Sequence, residues 1–530
     1  MNPPVYVAIT LGLAVLGLAV AWATSSEEAN AVTFTVNKTA DTADGVCDAD
    51  CSLREAIIAA NGTGPASADI ITVPAGTYTL SIAGHDVASN AAIGDLDITT
   101  GSVTINGAGP GSTIIDGADI DRILDVKSNV QGVTINGVTI RNGYAVTAAL
   151  NVGGGLATAT NSNTTLNNVA VSDNRATTTG GGIYNHGTLT INNSTIGPGN
   201  IAKGNGGGID NDTGTLMVNN SVIYGNTANG LHGGGLNSSY NARLTNVTIS
   251  DNTITGGNGS AGAGIRHSAT SATNGDGSPT TMTLLNVTIS NNSSKTGGGL
   301  GRTSAGWDPV VKNTIIANNS GGNCSIATGT LTSQGDNISS DGTCPLPAAG
   351  DMNNTNPILG ALQSNGGPTL TRALAQNSAA IDAASSAGCP PTDQRGTARP
   401  IGLSCDIGAY EHDNPTTSTP PPLLTATPSL TPSPSPTLSS TPAGFEFGDV
   451  DCDGQINSVD ALKVLNYGAG LSYNQTEPCQ NIGSEILTNG EQQGNVDCDG
   501  TVNSVDALKL LLYSAGLKYR QSEPCSNIGS

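Results

Sequence analysis

From about residue 100 to 320, one pattern of apolar and polar positions keeps returning. It reads apolar-x-Asn-x-x-Ile/Val, then a polar turn, then Gly-Gly-Gly-Ile/Leu. Copies are Leu166-Asn-Asn-Val-Ala-Val, Ile191-Asn-Asn-Ser-Thr-Ile, Val218-Asn-Asn-Ser-Val-Ile, Leu244-Thr-Asn-Val-Thr-Ile and Leu284-Leu-Asn-Val-Thr-Ile. Glycine triplets stand at Gly153–Gly155, Gly180–Gly182, Gly206–Gly208, Gly233–Gly235 and Gly297–Gly299. Most copies lie roughly 26 residues apart, stretched once by an insertion around Ser268–Pro279. Short alternating β runs at this period, bounded by Gly and Asn, predict a mainly β chain wound as a right-handed parallel β-helix. Alternate Val, Ile and Leu point inward and stack between rungs, and some nine or ten rungs give a rod on the order of 45 Å long. A leucine-rich horseshoe is the other repeat architecture, but this repeat lacks its leucine frame. Asn168, Asn193, Asn220, Asn246, Asn286 and Asn313 share one phase, which predicts an amide ladder. The triplets predict positive φ or close backbone approach.

Composition agrees with a narrow aliphatic core. Aromatic residues make up 3% of the 530 and glycines number 71, too few and too many for an ordinary globular domain. Charged residues are 11%, yet the net charge is −22, which excludes the basic stripe that nucleic acid binding needs.

The last eighty-odd residues carry a different pattern, twice. Asp449-Val-Asp451-Cys-Asp453-Gly-Gln455-Ile-Asn457-Ser-Val-Asp460 returns as Asn495-Val-Asp497-Cys-Asp499-Gly-Thr501-Val-Asn503-Ser-Val-Asp506. Oxygen ligands at loop positions 1, 3, 5, 9 and 12, a carbonyl at 7 and Gly at 6 suit calcium, so two ions are expected. Each loop runs into a short amphipathic helix, while Pro and Gly before Asp449 rule out an entering one. Loop plus exiting helix, duplicated, resembles the dockerin family over residues 448–530. That resemblance implies docking to a cohesin-like partner through Ser458, Val459, Lys463, Ser504, Val505 and Lys509. Asn495 at position 1 of the second loop and the early lysines depart from the family pattern. A module that merely stabilises the end of the chain is the plainer reading.

Near the other end, Cys51-Ser52-Leu53-Arg54-Glu55-Ala56-Ile57-Ile58 combines a capping box (Ser52, Glu55) with an apolar stripe, Leu53, Ala56, Ile57 and Ala60. It resembles the CSLREA domain of bacterial surface β-helix proteins, and residues 380–411 resemble the closing segment of that group, which precedes a variable anchor. The organisation expected is therefore a signal peptide or anchor over 1–31, an N-terminal cap over 32–94, a β-helix over 95–330 and its closing segment over 331–412. A Pro/Thr/Ser linker over 413–447 and the calcium module over 448–530 follow. The apolar run Val5–Val20 precedes small-residue cleavage sites at Ala23 and Ala31, so export is expected, with a membrane contact only where that run stays uncleaved.

Ten cysteines fall into five local groups, Cys47/Cys51, Cys324/Cys344, Cys389/Cys405, Cys452/Cys479 and Cys498/Cys525, as disulfides in an oxidising compartment would. Pairing across the two module copies remains open. Zinc at Cys47 and Cys51 lacks a histidine partner.

Chemistry on the rod is harder to see. Asp173, Asp210, Asp212, Asp251 and Asp276 read as turn residues, Arg266-His267 and His186 lack an adjacent acid, and Trp307 reads as a loop residue. No catalytic residue is assigned on this basis. The expectation is a non-enzymatic extracellular adhesion or binding rod, with a polysaccharide-degrading hydrolase or lyase delivered by its dockerin as the alternative. A polysaccharide is a possible ligand under either. Acidic side chains converging from adjacent rungs would discriminate the two.

Overall fold

The computed structural model describes residues 31–84, 91–146, 151–230, 232–257, 261–268, 281–303, 308–413, 450, 458–468 and 504–514. The chain divides into two compact units, Met1–Pro420 and Pro421–Ser530.

The first unit is a right-handed parallel β-solenoid. One rung shows the plan: Ile183–Asn185 on one face, Thr188–Asn192 and Thr195–Ile196 on a longer face, and Ile201–Ala202 on a third. Stacked, these form sheets of nine, eighteen and five strands. Nine strands on one face make about eight turns and roughly 38 Å of stack, somewhat shorter than the repeat count suggests. The register joins Leu166, Ile191, Val218, Leu244 and Leu284 as direct partners, and all five are fully buried. A single rung cannot enclose those side chains; only stacking removes them from water, at roughly 1.5–3 kcal/mol each.

The glycine triplets do both things expected of them. Gly180 has φ +66°, where a side chain is strained, and a Cβ on Gly181 would sit 2.5 Å from the Gly207 carbonyl oxygen of the next rung.

The asparagine ladder is real but mostly displaced from its predicted phase. Asn168, Asn193, Asn220, Asn246, Asn286 and Asn313 have φ of +49° to +53° and form the corner between the two strands of the long face. Asn tolerates this left-handed conformation, which turns its side chain out of the pleat. Only the pairs Asn246–Asn220 and Asn313–Asn286 bond in that phase, at 3.1 and 3.2 Å. One ladder runs on the outer surface through Asn219, Asn192, Asn167, Asn136 and Asn106, each Nδ2 donating to the preceding rung at 2.7–3.0 Å. A second runs inside through Asn174, Asn200, Asn226, Asn252, Asn292, Asn319 and Asn323, each donating to the next member. Asn252 and Asn292 are 40 residues apart where the three preceding steps are 26 each, yet their bond is 2.9 Å.

The N-terminal cap is a helix, Leu53–Gly62, with the predicted capping box: Glu55 N donates to Ser52 Oγ and Ser52 N to Glu55 Oε2, at 3.1 and 2.7 Å. Its stripe of Leu53, Ala56, Ile57 and Ala60 is buried. The helix stands where a rung before Leu96–Ile98 would be. Arg54, fully buried, donates to the carbonyls of Ala91 and Gly94, and Asn61 brackets the strand by donating to Asp97 O and accepting from Thr99 N. The closing segment lies along the flank of the rod. Asn246 Nδ2 donates to Thr392 O, and Ala409 N to Thr288 Oγ1. Disulfides join Cys47–Cys51, Cys324–Cys344 and Cys389–Cys405, as grouped from the sequence.

In the second unit, helices Ser458–Gly468 and Ser504–Ser514 pack together through Ala461, Val464, Ala507 and Leu510. No helix among the described residues is long and apolar enough to cross a membrane; the run Val5–Val20 lies outside them.

Candidate functional site

On the nine-stranded face the strands are three residues long, and their first residues (Leu96, Leu124, Leu156, Ile183, Ile209, Leu236, Ile265, Leu300) are buried in the core. Side chains alternate along a strand, so every middle residue points outward. The register aligns those middle residues into one column: Asp97, Asp125, Ala157, Tyr184, Asp210, Asn237, Arg266, Gly301 and Ser325. Apart from Ala157 and Gly301, every position is polar or charged. Two groups stand out along it.

At the N-terminal end, Asp95, Asp97 and Asp125 bring carboxylate oxygens within 4.8 Å of one another. Arg122 Nη2 lies 2.8 Å from Asp95 and 2.6 Å from Asp125, and Lys127 Nζ bridges Asp97 and Asp125 at 2.7 and 2.6 Å. Burial pushes Asp97 up to about 7, the charge of Asp95 adding to it and Lys127 opposing it. Asp97 Oδ2 and Asp95 Oδ1 are buried without a hydrogen-bond partner, and Lys127 meets Asp97 Oδ1 in an alignment too poor for one. Three carboxylates this close can ligate a divalent cation. Here two side-chain cations already occupy their midst, so a metal would have to displace Lys127, whose side chain is 21% exposed.

Further along, Tyr184, Asp210, Asn237 and Arg266 occupy four successive rungs. Asn237 Nδ2 donates to Asp210 Oδ1 at 2.6 Å, and Arg266 Nη1 donates to Asn237 Oδ1 at 3.0 Å. Arg266 Nε and Nη2 both donate to Thr303 Oγ1, at 3.0 and 2.7 Å. Tyr184 Oη donates to Asp212 Oδ2 at 3.0 Å, and the His186 ring meets the Tyr184 ring edge-on at 5.8 Å. Burial raises Asp210 to about 6, against the pull of hydrogen bonds from Thr179 and Asn237. Burial also lowers Arg266 to about 10, and burial together with Asp212 holds the Tyr184 hydroxyl protonated well above its usual value. A Cβ on Gly206 would come within 2.7 Å of Asp210 Cβ, so the triplet glycine keeps the chain clear beside this carboxyl. The column therefore offers an acid that titrates near neutrality, a carboxylate oriented by a tyrosine, and a guanidinium.

These positions correct the sequence reading. Asp210 is the centre of the strand Ile209–Asn211, not a turn residue, and Arg266 is linked to it through Asn237. Asp173 and Asp251 are turn residues as expected, with φ of +55° and +58°. His267 points into the core, and Asp276 and Trp307 lie outside the described residues. A signal was available: each column member from Ala157 to Asn237 stands two places after a glycine triplet. Gly208-Ile209-Asp210 and Gly235-Leu236-Asn237 show it, and Gly264-Ile265-Arg266 keeps the last glycine.

Of the calcium positions, Asp460 and Asp506 are buried in the first turn of their helices, and Val450 N donates to Asp460 Oδ1 at 2.7 Å. Lys463 and Lys509 are half-buried, and Ser458, Val459, Ser504 and Val505 begin the helices. Asp449, Asp451, Asp453, Gln455, Asn457, Asn495, Asp497, Asp499, Thr501 and Asn503 lie outside the described residues, as do Cys452, Cys479, Cys498 and Cys525.

No protein-family model matches the chain, and no curated protein matches it either. Among solved structures it is similar to pectate lyase Pel9A, at 17% identity and TM-score 0.36, over 72% of this chain and 97% of that one. It is also similar to the A-module of the Azotobacter vinelandii mannuronan C-5 epimerase AlgE4, at 18% identity and TM-score 0.33, over 56% and 74%. A third is pectin methylesterase PemA from Erwinia chrysanthemi, at 13% identity and TM-score 0.29, over 55% and 79%.

The expectation of a non-enzymatic adhesion rod is corrected. It rested on the absence of converging acidic and basic groups, and adjacent rungs bring such groups together twice on one face.

Proposed function

We propose that this chain is a polysaccharide-degrading enzyme whose chemistry is centred on Asp210. The observation that carries the reading is a buried carboxyl on the outward column, bonded through Asn237 to a guanidinium and pushed up to about 6 by its burial. A general acid works best with a pKa near the working pH, and such perturbed groups concentrate at active sites. Asp212 follows two residues later, just past the end of the strand Ile209–Asn211, and its charge adds to the rise of Asp210. A pair of carboxyls is what hydrolysis with inversion uses, the two flanking the glycosidic bond with room for a water between. Asp210 then gives its proton to the leaving glycosidic oxygen. Asp212, held by the Tyr184 hydroxyl, takes a proton from the water attacking the anomeric carbon.

The chain is read as exported, the three disulfides of the rod fitting an oxidising compartment. Its C-terminal module is read as a dockerin-like calcium binder with a cohesin-like partner. Duplicated ligand spacing and the bond closing loop position 2 onto Asp460 support this. Calorimetric titration of calcium should show two sites, one of them lost in Asp497→Ala.

The deciding experiment incubates the full chain with acidic and neutral polysaccharides and follows new reducing ends and unsaturated products. We expect reducing ends without unsaturation, and a rate roughly 10²- to 10⁴-fold lower for Asp210→Asn. Unsaturated products would replace hydrolysis by elimination; cleavage untouched in Asp210→Asn would remove the reading altogether.

A further inference from the structure

Arg266 differs from every other buried or half-buried arginine among the described residues. Arg54, Arg122, Arg302, Arg372, Arg395 and Arg399 each hold an aspartate or glutamate at 2.6 to 3.2 Å, and half-buried Arg141 holds Asp116 at 2.9 Å. Among the described residues, Arg266 donates only to neutral oxygens, those of Asn237 and Thr303. Asp210 is near enough to act on its charge, but the hydrogen bond to Asp210 Oδ1 comes from Asn237. A guanidinium carries five N–H donors in a rigid fork. Three are used here, one on Nε and one on each Nη, so one N–H remains on each Nη. A donor on each Nη of one planar group is what a guanidinium uses to grip an oxyanion bidentately. The side chain keeps partial access to solvent, and Gly301, next in the column, puts no side chain beside it.

We propose that Arg266 is an anion-binding subsite that holds the carboxylate or sulfate group of an acidic sugar. The proposal names the substrate class of the site centred on Asp210 and rests on that reading for its catalytic meaning. Arg266 lies two rungs from Asp210, roughly 10 Å along the column, so the anionic ring sits next to the bond being broken. The rest of the chain leaves this as the place where an acidic glycan would have to be held. With a net charge of −22 the protein repels a polyanion as a whole, and a local, partly desolvated guanidinium must hold the anion against that field. Asn237 and Thr303 are positioning residues: they occupy the other donors and fix the plane of the fork. No covalent step is involved.

The test measures binding by the full-length Asp210→Asn variant, so turnover does not intervene. Polygalacturonate is compared with its methyl ester, which has the same backbone without the charge, and with a sulfated galactan and a neutral glucan. A charged hydrogen-bonded pair contributes about 1.5–3 kcal/mol, so the acid form should bind roughly 10- to 100-fold more tightly than the ester. Adding Arg266→Gln should erase that preference while leaving the melting temperature within a few degrees. Arg266→Lys, which keeps charge but loses the fork, should retain part of it and covers the case in which the glutamine variant folds poorly. A preference for the sulfated galactan keeps the subsite and assigns it to sulfate esters. Equal binding of acid and ester, or a preference unchanged in both Arg266 variants, overturns the proposal. Arginine-dependent binding by a chain that cleaves nothing would remove the hydrolase reading and leave the subsite standing.

Discussion

Replacing Asn226 by alanine should cost far more than replacing Asn192, although both sit in asparagine ladders. Asn226 is fully buried, donates from Nδ2 to Ile196 O and Asn252 Oδ1 at 3.0 and 2.9 Å, and accepts from Asn200 Nδ2 at 2.8 Å. Alanine deletes three bonds worth about 1 kcal/mol each and strands one Asn200 N–H in the interior at a further ~1–3 kcal/mol. The expected loss is about 4–6 kcal/mol. Asn192 donates to Asn167 at 2.9 Å and accepts from Asn219 at 3.0 Å, but it is half-buried on the outer face. Water can take over both bonds there, so its alanine variant should lose about 1 kcal/mol or less. Urea unfolding of the full chain, followed by far-ultraviolet circular dichroism, compares the midpoints at constant slope. Variants that agree within 1 kcal/mol would show that the interior amides are replaceable, and the ladder argument would fail.

Asp210 gives a pH-dependent test. Its folded value of about 6 exceeds the ordinary 3.8, so its contribution favours folding below pH 3.8 and is lost as pH rises to 6. Asp210→Asn should therefore raise stability by up to roughly 3 kcal/mol at pH 8 and by nothing near pH 3.5, read as paired melting curves. An equal gain at both pH values would place the effect elsewhere. The cap gives another: Asn61→Ala removes the bracket on Asp97 O and Thr99 N, so hydrogen exchange at Leu96–Ile98 should speed up while that at Ile183–Asn185 does not. Equal acceleration at both strands would mean global rather than local loosening.

The rungs were legible because their information is periodic. Leu166, Ile191, Val218, Leu244 and Leu284 announce stacking by recurrence alone, and glycine triplets mark the corners. The amide phase was misjudged because a row of recurring Asn has two physical uses, a left-handed corner and a hydrogen-bond ladder. Letters do not separate Asn193 (φ +49°) from its neighbour Asn192, which bonds along the stack. The site was harder to see for the opposite reason. Tyr184, Asp210, Asn237 and Arg266 share a position in the repeat but no chemistry, so a search for similar residues passes over them. What they share is orientation, set by the inward Ile or Leu before each. In the cap, Ser52 and Glu55 were readable locally, whereas the role of Arg54 depends on carbonyls some forty residues away.

The interior ladder has a direction: each amide donates toward the C-terminal end, and the outer ladder donates the opposite way. A rung therefore has a head and a tail: those of Asn167, Asn192 and Asn219 carry both connectors, and the rungs after them keep the interior one. The bond between Asn252 and Asn292 is as short as its neighbours although the chain between them is 14 residues longer than in the usual rung. The connector senses its place in the stack and not the length of the loop between. Such a molecule can change by whole units, gaining a rung by duplication or enlarging a loop, while every existing contact is redrawn unchanged. Its outward column would then gain or lose one letter at a time, which is a way to alter a binding face without rebuilding the body that carries it.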